Sequence, residues 1–202
     1  MHSKLAILFL ALFCTACATT APRTKHFLLG QNLGPLPTPS LEEGAPNVAL
    51  ARLSVAGFLD QAGVVYQIGP NEVRVAARNL WAEPLPEQLQ RALYDEITRQ
   101  TKAVTVFQSA SAAPVRSVRL SLEFAGFHGR YDGQAVVAGL WTLADRQNQP
   151  LLRQPFKYEI ALGSDGYPEL VAALAQGLDA LAADIAATLD RFAGSQTAAS
   201  PE

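Results

Sequence analysis

Between Tyr167 and Leu189, the residues Leu170, Val171, Leu174, Leu178, Leu181, Ile185 and Leu189 recur at helical spacing and form one apolar stripe flanked by alanines. Residues three and four apart share one face of a helix, and an apolar face this long has to be covered. The rest of the chain must therefore supply a surface of matching length. The small alanine side chains allow close approach to a sheet. Gly177 costs about 1 kcal/mol relative to Ala inside a helix, so its presence predicts a tight contact at that point. Phe192 onward reads as a fraying end, with residues 193–202 expected to be a disordered tail.

Strand patterns supply the covering surface. Val48 to Val55 is rich in strand formers. Val64 to Ile68 and Val73 to Ala77 flank Gly69-Pro70-Asn71, which predicts a hairpin. Val104 to Phe107 is a short strand. Val118, Leu120, Leu122 and Phe124 alternate with Arg119, Ser121 and Glu123, the pattern of a strand with one buried and one wet face. Gly126 to Gly133 reads as a turn-rich interval. Gln134 to Leu143 and Leu152 to Leu162 then complete an antiparallel meander. Gly163-Ser164-Asp165-Gly166 ends the sheet. A second amphipathic helix follows Pro84, with Leu85, Leu89, Ala92, Leu93 and Ile97 on its apolar face. Glu87, Gln88, Gln90 and Arg91 fall on the other positions, and Glu87 and Arg91 have the spacing of a helical ion pair. Glu83 and Asp165 read as cap or turn residues, and Trp81 as packing under the helix. Strands, helix, strands, helix predict a layered α/β domain over residues 47–192, with two long amphipathic helices on a mixed or largely antiparallel sheet.

The N-terminal residues bear on the compartment rather than on the fold. Lys4 precedes an unbroken apolar run from Leu5 to Phe13, about half the ~20 residues a spanning helix needs. Thr15-Ala16-Cys17 follows. Small residues directly before a cysteine are the pattern of a bacterial lipoprotein signal, although Cys14 stands where that signal usually has Leu. The expectation is a signal peptide over residues 1–16 and a lipid on Cys17; cleavage without lipidation is the alternative. Ala18, in place of an Asp, favours the outer membrane. If Cys14 leaves and Cys17 is acylated, the mature chain has no disulfide. Residues 17–46 read as a lipidated tether and a Pro/Gly-rich arm, with His26 to Leu29 a candidate first strand. Gly34, Pro35, Pro37, Pro39, Gly44 and Pro46 exclude a regular element in the arm.

Sixteen basic and eighteen acidic residues give a formal charge of −2. Loss of Lys4 leaves fifteen against eighteen, or −3, which argues against a nucleic-acid partner. Only His26 and His128 remain in the mature part, and no HExxH or Cys-x-x-Cys occurs, so neither a metal nor another cofactor is expected. No Gly-x-Ser-x-Gly elbow or phosphate-binding glycine loop is present, and no enzymatic activity is expected. The one polar cluster is His128-Gly129-Arg130-Tyr131-Asp132-Gly133. It can be drawn as an acid–base site, but it reads first as a hairpin turn with polar residues in water. His128, Arg130, Tyr131 and Asp132 are the candidate partner surface.

Several stretches then resemble a known family. In chain order they are Gly63-Val64-Val65-Tyr66-Gln67, Asn79-Leu80-Trp81-Ala82 with Pro84-Leu85 and Gln88-Leu89, Gly129-Arg130-Tyr131-Asp132-Gly133, Gly139 and Trp141 on one strand, and Asp165-Gly166-Tyr167. Together with Cys17 they resemble the PqiC family, the ABC-type transport auxiliary lipoproteins of Gram-negative envelopes. The Pro-rich arm and the tail are less family-like. The resemblance implies a three-layer α/β domain related to small anticodon-binding folds. It also implies an outer-membrane lipoprotein on the periplasmic face, assembled as a homo-oligomeric ring. Its implied partners are an MCE-domain protein that forms a tube across the periplasm and an inner-membrane component. The function expected is a non-catalytic docking component for intermembrane lipid transport; the alternative is a lipid carrier with an apolar pocket between sheet and helix.

Overall fold

The computed structural model describes residues 23–30, 45–51 and 53–198; Cys17 and most of the Pro-rich arm lie outside them. The described elements are β1 (Lys25–Phe27), β2 (Asn47–Leu50), β3 (Ser54–Val55), β4 (Gly63–Gly69), β5 (Glu72–Trp81), α1 (Leu85–Gln100), β6 (Thr105–Phe107), β7 (Val118–Arg130), β8 (Gln134–Ala144), β9 (Pro150–Ala161) and α2 (Tyr167–Ala198). The fold is mixed α/β, with one sheet and two long helices.

The spine of the sheet is β7. Along one edge it pairs antiparallel with β8, which pairs antiparallel with β9, giving the expected meander. Along the other edge three short strands pair with it in succession, all parallel: β2 up to Leu120, β3 at Glu123 and Phe124, and β4 at Gly129. Beyond these, β6 pairs with β2, β5 with β4 in the expected hairpin, and β1 with β5. The single strand read over Val48 to Val55 is thus two. Between them Leu53 is buried, 2% exposed, and the ladder is interrupted.

The boundaries of β7 also differ from the alternation in the sequence. A register shift between Phe124 and Gly126 inserts one extra residue. Such a bulge reverses which side chains face inward, so Phe124 and Phe127 are both buried although they are three positions apart. The strand therefore runs on to Arg130, and the turn is confined to Tyr131, Asp132 and Gly133, with Gly133 at φ 80°. His128 and Arg130 are strand residues, not turn residues.

Leu120, Leu122, Phe124, Val137, Trp141 and Leu143 are buried beneath α2 together with Leu174, Leu178, Leu181, Ile185 and Leu189. Phe124 meets Phe127 and Phe156 edge-on, at centroid distances of 6.0 and 5.4 Å. Gly177 sits directly on the sheet: a Cβ there would stand 2.7 Å from Val137 Cγ2. Helix α2 is long and apolar enough to cross a bilayer by composition, but its leucine stripe is covered by this sheet. It continues beyond Leu189 to Ala198, with Ala193 buried, so the tail proposed from Phe192 onward begins within the helix.

Helix α1 starts at Pro84, whose backbone carbonyl accepts from the Gln88 amide. Its apolar residues are buried as their spacing predicts. Gln88, on a position read as polar and exposed, is fully buried as well. Arg91 pairs with Glu83 at 2.7 Å rather than with Glu87. Asp190 of α2 accepts hydrogen bonds from the Thr101 hydroxyl and from the backbone amides of Lys102 and Ala103, tying the end of α1 to α2. Both helices therefore lie on the same side of the sheet. The other side carries the exposed Arg119, Glu123, Lys157 and Glu159. Among the described residues the fold is the expected α/β arrangement, a mixed sheet with two long amphipathic helices packed on it.

Candidate functional site

The β7–β8 hairpin projects from one end of the sheet and carries the polar cluster. Arg130, the last residue of β7, is held from two sides. Its Nε donates to Asp132 Oδ1 at 2.8 Å and its Nη2 lies 2.7 Å from Asp132 Oδ2, while its Nη1 donates to Glu159 Oε1 at 2.6 Å. Lys157 Nζ stands 2.7 Å from the same Glu159 oxygen. Cross-strand register explains the arrangement, since Arg130 pairs with Gln134, and Val136 with Glu159. Lys157 and Glu159 are residues that the sequence reading left out of the cluster. Their only local signal was alternation on an edge strand, and nothing in it pointed to a partner 29 positions away.

The electrostatics follow from these contacts. Hydrogen bonding to Arg130 holds the Asp132 carboxyl below the usual carboxylate range. Lys157 first, and Arg130 second, do the same for Glu159. Both carboxylates raise Arg130 further above its already high value. Both Asp132 oxygens are engaged by Arg130. The His128 Nδ1 donates instead to the Gly129 carbonyl at 2.9 Å, and its ring stands 6.0 Å from that of Phe58. The acid–base pair that the sequence allows to be drawn between His128 and Asp132 is not assembled. The cluster is a charge-compensated brace, and it leaves Tyr131 at the tip, 58% exposed.

Beside the brace lies an open depression of about 510 Å³, lined among others by Tyr66, Ile68, Tyr131, Leu162, Tyr167 and Leu170. Tyr66 and Tyr167 meet edge-on at 5.8 Å. Burial, and then a hydrogen bond with Tyr66, push the Tyr167 hydroxyl up to about 12. Gly129 forms the floor, where a Cβ would stand 2.9 Å from Leu170 Cδ2. Tyr66 and Tyr167 belonged to family-like stretches, but nothing in the sequence showed that they meet. Trp81, by contrast, is 5% exposed, in the core as expected. Among the described residues no three His, Cys, Asp or Glu side chains are grouped to hold a metal.

A two-helix, mixed-sheet domain of this kind is the fold of a family of transport lipoproteins. The chain belongs to the family of ABC-type transport auxiliary lipoprotein components, whose model matches residues 27–186. It is 35% identical over 143 residues to the intermembrane transport lipoprotein PqiC of Escherichia coli K12, a match covering 70% of this chain and 73% of that protein. The PqiC of Shigella flexneri matches to the same extent. Among solved structures, an uncharacterized protein aligns with a TM-score of 0.71 and 30% identity, over 83% of this chain and 99% of its own. Protein XCC0632 of Xanthomonas campestris shares the fold, with a TM-score of 0.64 and 17% identity, over 89% of this chain and 99% of its own.

Proposed function

We propose that this lipoprotein is a non-catalytic component of an intermembrane lipid transport system. Held by lipid on Cys17 at the periplasmic face of the outer membrane, it receives there the end of a tube formed by an MCE-domain protein, with an inner-membrane component completing the system. It acts as a homo-oligomer, so that several copies surround one tube. The observation that carries this reading is the hairpin tip. Arg130, Asp132 and Glu159 satisfy one another, and what the braced strands present outward is an exposed tyrosine, a side chain suited to a partner surface. Identity to PqiC over most of the domain supports the transport role.

Photo-crosslinking in cells tests it. A photoreactive residue at Tyr131 is expected to capture the MCE-domain protein, and one at the buried Trp81 to capture nothing. Capture from neither position by folded, lipidated protein would overturn the reading. The carrier alternative would need an apolar space between α2 and β8, and at their crossing Gly177 lies directly against Val137 and leaves no room for an acyl chain.

A further inference from the structure

The structure gives this domain a near end and a far end relative to its anchor. Strand β1 pairs parallel with β5, Lys25 beside Asn79 and Phe27 beside Trp81. Strand β5 is antiparallel to β4, and β4 is parallel to β7. The direction back along β1 from Lys25 is therefore the direction of the Pro70-Asn71 turn and of the Tyr131 tip. Because Gly63 pairs with Leu80 and Tyr66 with Gly129, Lys25 stands about level with Phe127. Four strand residues separate that level from the tip, about 13 Å. Eight separate it from Arg119 and Ala144 at the other end, about 26 Å, with the turn joining β8 to β9 further out.

Eight residue steps join Lys25 to Cys17, a reach of at most about 28 Å. The tip lies well inside that radius. The β8–β9 turn lies at or beyond it, and in the direction opposite to that from which β1 is entered. The two ends also differ in chemistry. Of the five tyrosines in the sequence, Tyr66, Tyr131 and Tyr167 gather around the depression at the tip end, and tyrosine is enriched where protein meets lipid headgroups. The far turn itself, Asp145-Arg146-Gln147-Asn148-Gln149, is polar and carries no tyrosine, although Val115, Leu151 and Leu152 are exposed at the same end.

We propose that the end of the sheet bearing Tyr66, Tyr131 and Tyr167 rests at the lipid headgroup layer, and that the β8–β9 turn points away from the membrane. The proposal rests on the lipid at Cys17, and it places the docking tip where tube and bilayer meet.

The test uses full-length lipidated protein in phosphatidylethanolamine–phosphatidylglycerol vesicles. Cys14 and Cys17 are the only cysteines in the sequence, so after removal of Cys14 and acylation of Cys17 an introduced cysteine is the sole thiol. A donor dye is placed on Asn71→Cys or on Gln147→Cys, both in exposed turns, and energy transfer to headgroup-labelled lipid is measured. Several-fold greater transfer from position 71 is expected. Equal transfer, or greater transfer from position 147, overturns the orientation. The mass of the processed N-terminus separates the two ideas: an unmodified thiol removes the anchor and this proposal with it, whereas an acylated cysteine with position 147 nearer overturns the orientation alone.

Discussion

The side chain of Gln88 in α1 holds the segment just after β1 and the turn before α1: its Oε1 accepts the Leu29 amide at 2.9 Å and its Nε2 donates to the Glu83 carbonyl at 2.9 Å. Gln88 is fully buried and Leu29 is 3% exposed. Replacing Gln88 with Leu leaves a buried amide without its partner, a loss of about 1–3 kcal/mol. Denaturant unfolding of Gln88→Leu should show it, and the Leu29 amide should exchange much faster with solvent than in the parent. An unchanged exchange rate at Leu29 would mean that β1 does not depend on this contact.

Gly177 and Gly194 make a matched pair within α2. At Gly177 a Cβ would meet Val137 at 2.7 and 3.2 Å, whereas at Gly194 it would meet nothing within 4 Å. Alanine gains roughly 0.5–1 kcal/mol over glycine from the helix backbone. At position 177 that gain is opposed by overpacking of about 1–3 kcal/mol. Urea midpoints should therefore move in opposite directions, down for Gly177→Ala and up for Gly194→Ala.

Asp190 accepts from Thr101, Lys102 and Ala103 where α1 ends. Asp190→Ala should cost about 1–3 kcal/mol, the range for leaving such donors unpaired. Faster exchange should be confined to the amides of Lys102 and Ala103 and their neighbours. A uniform change across the domain would show instead that Asp190 acts on global stability alone.

The brace around Arg130 predicts a titration pattern. Asp132 and Glu159 have folded-state values depressed below their unfolded ones, so whatever they contribute is present above the ordinary carboxylate range. It is lost as pH falls through the depressed values. Both groups are exposed, and solvent screening keeps the effect on stability small. The sharper readout is carboxyl NMR. In Arg130→Gln the Asp132 midpoint should return towards the ordinary range, while Glu159 stays depressed, because Lys157 is its leading partner. If both midpoints return together, Lys157 is not the main influence on Glu159.

Long-period patterns were legible in the sequence and single-residue departures were not. The leucine stripe of α2, the apolar face of α1, the β4–β5 hairpin and the β7–β9 meander follow from spacing that repeats over many residues. The bulge after Phe124 is one inserted residue, and alternation alone reads it as the end of a strand. Gln88 looked like a surface residue because its partners, the Leu29 amide and the Glu83 carbonyl, are backbone atoms with no sequence signature. Arg91 has two acidic candidates, and only the geometry of the turn at Pro84 selects Glu83. At the candidate site, Arg130 and Asp132 could be read together as neighbours, but Glu159, Lys157, Tyr66 and Tyr167 are brought in by strand register. The polarity of Arg119, Glu123, Lys157 and Glu159 was visible strand by strand. That all four share one face, exposed among the described residues, became visible only with the sheet assembled.

The three short strands that line one edge of β7 bear on how the chain reaches this structure. A polypeptide is made from its N-terminus, so β2, β3 and β4 exist before the strand that holds them. Each is parallel to β7, and the intervening chain has to close before any of these ladders forms. The segment from β7 to the end of α2, by contrast, contains its own hairpins and covering helix. Nucleation is thus expected in the last two-fifths of the molecule, with the earlier strands recruited onto it afterwards. A chain cut short before β7 would keep its first hundred residues without a lattice to join, and it would be a substrate for proteases rather than a smaller version of the domain.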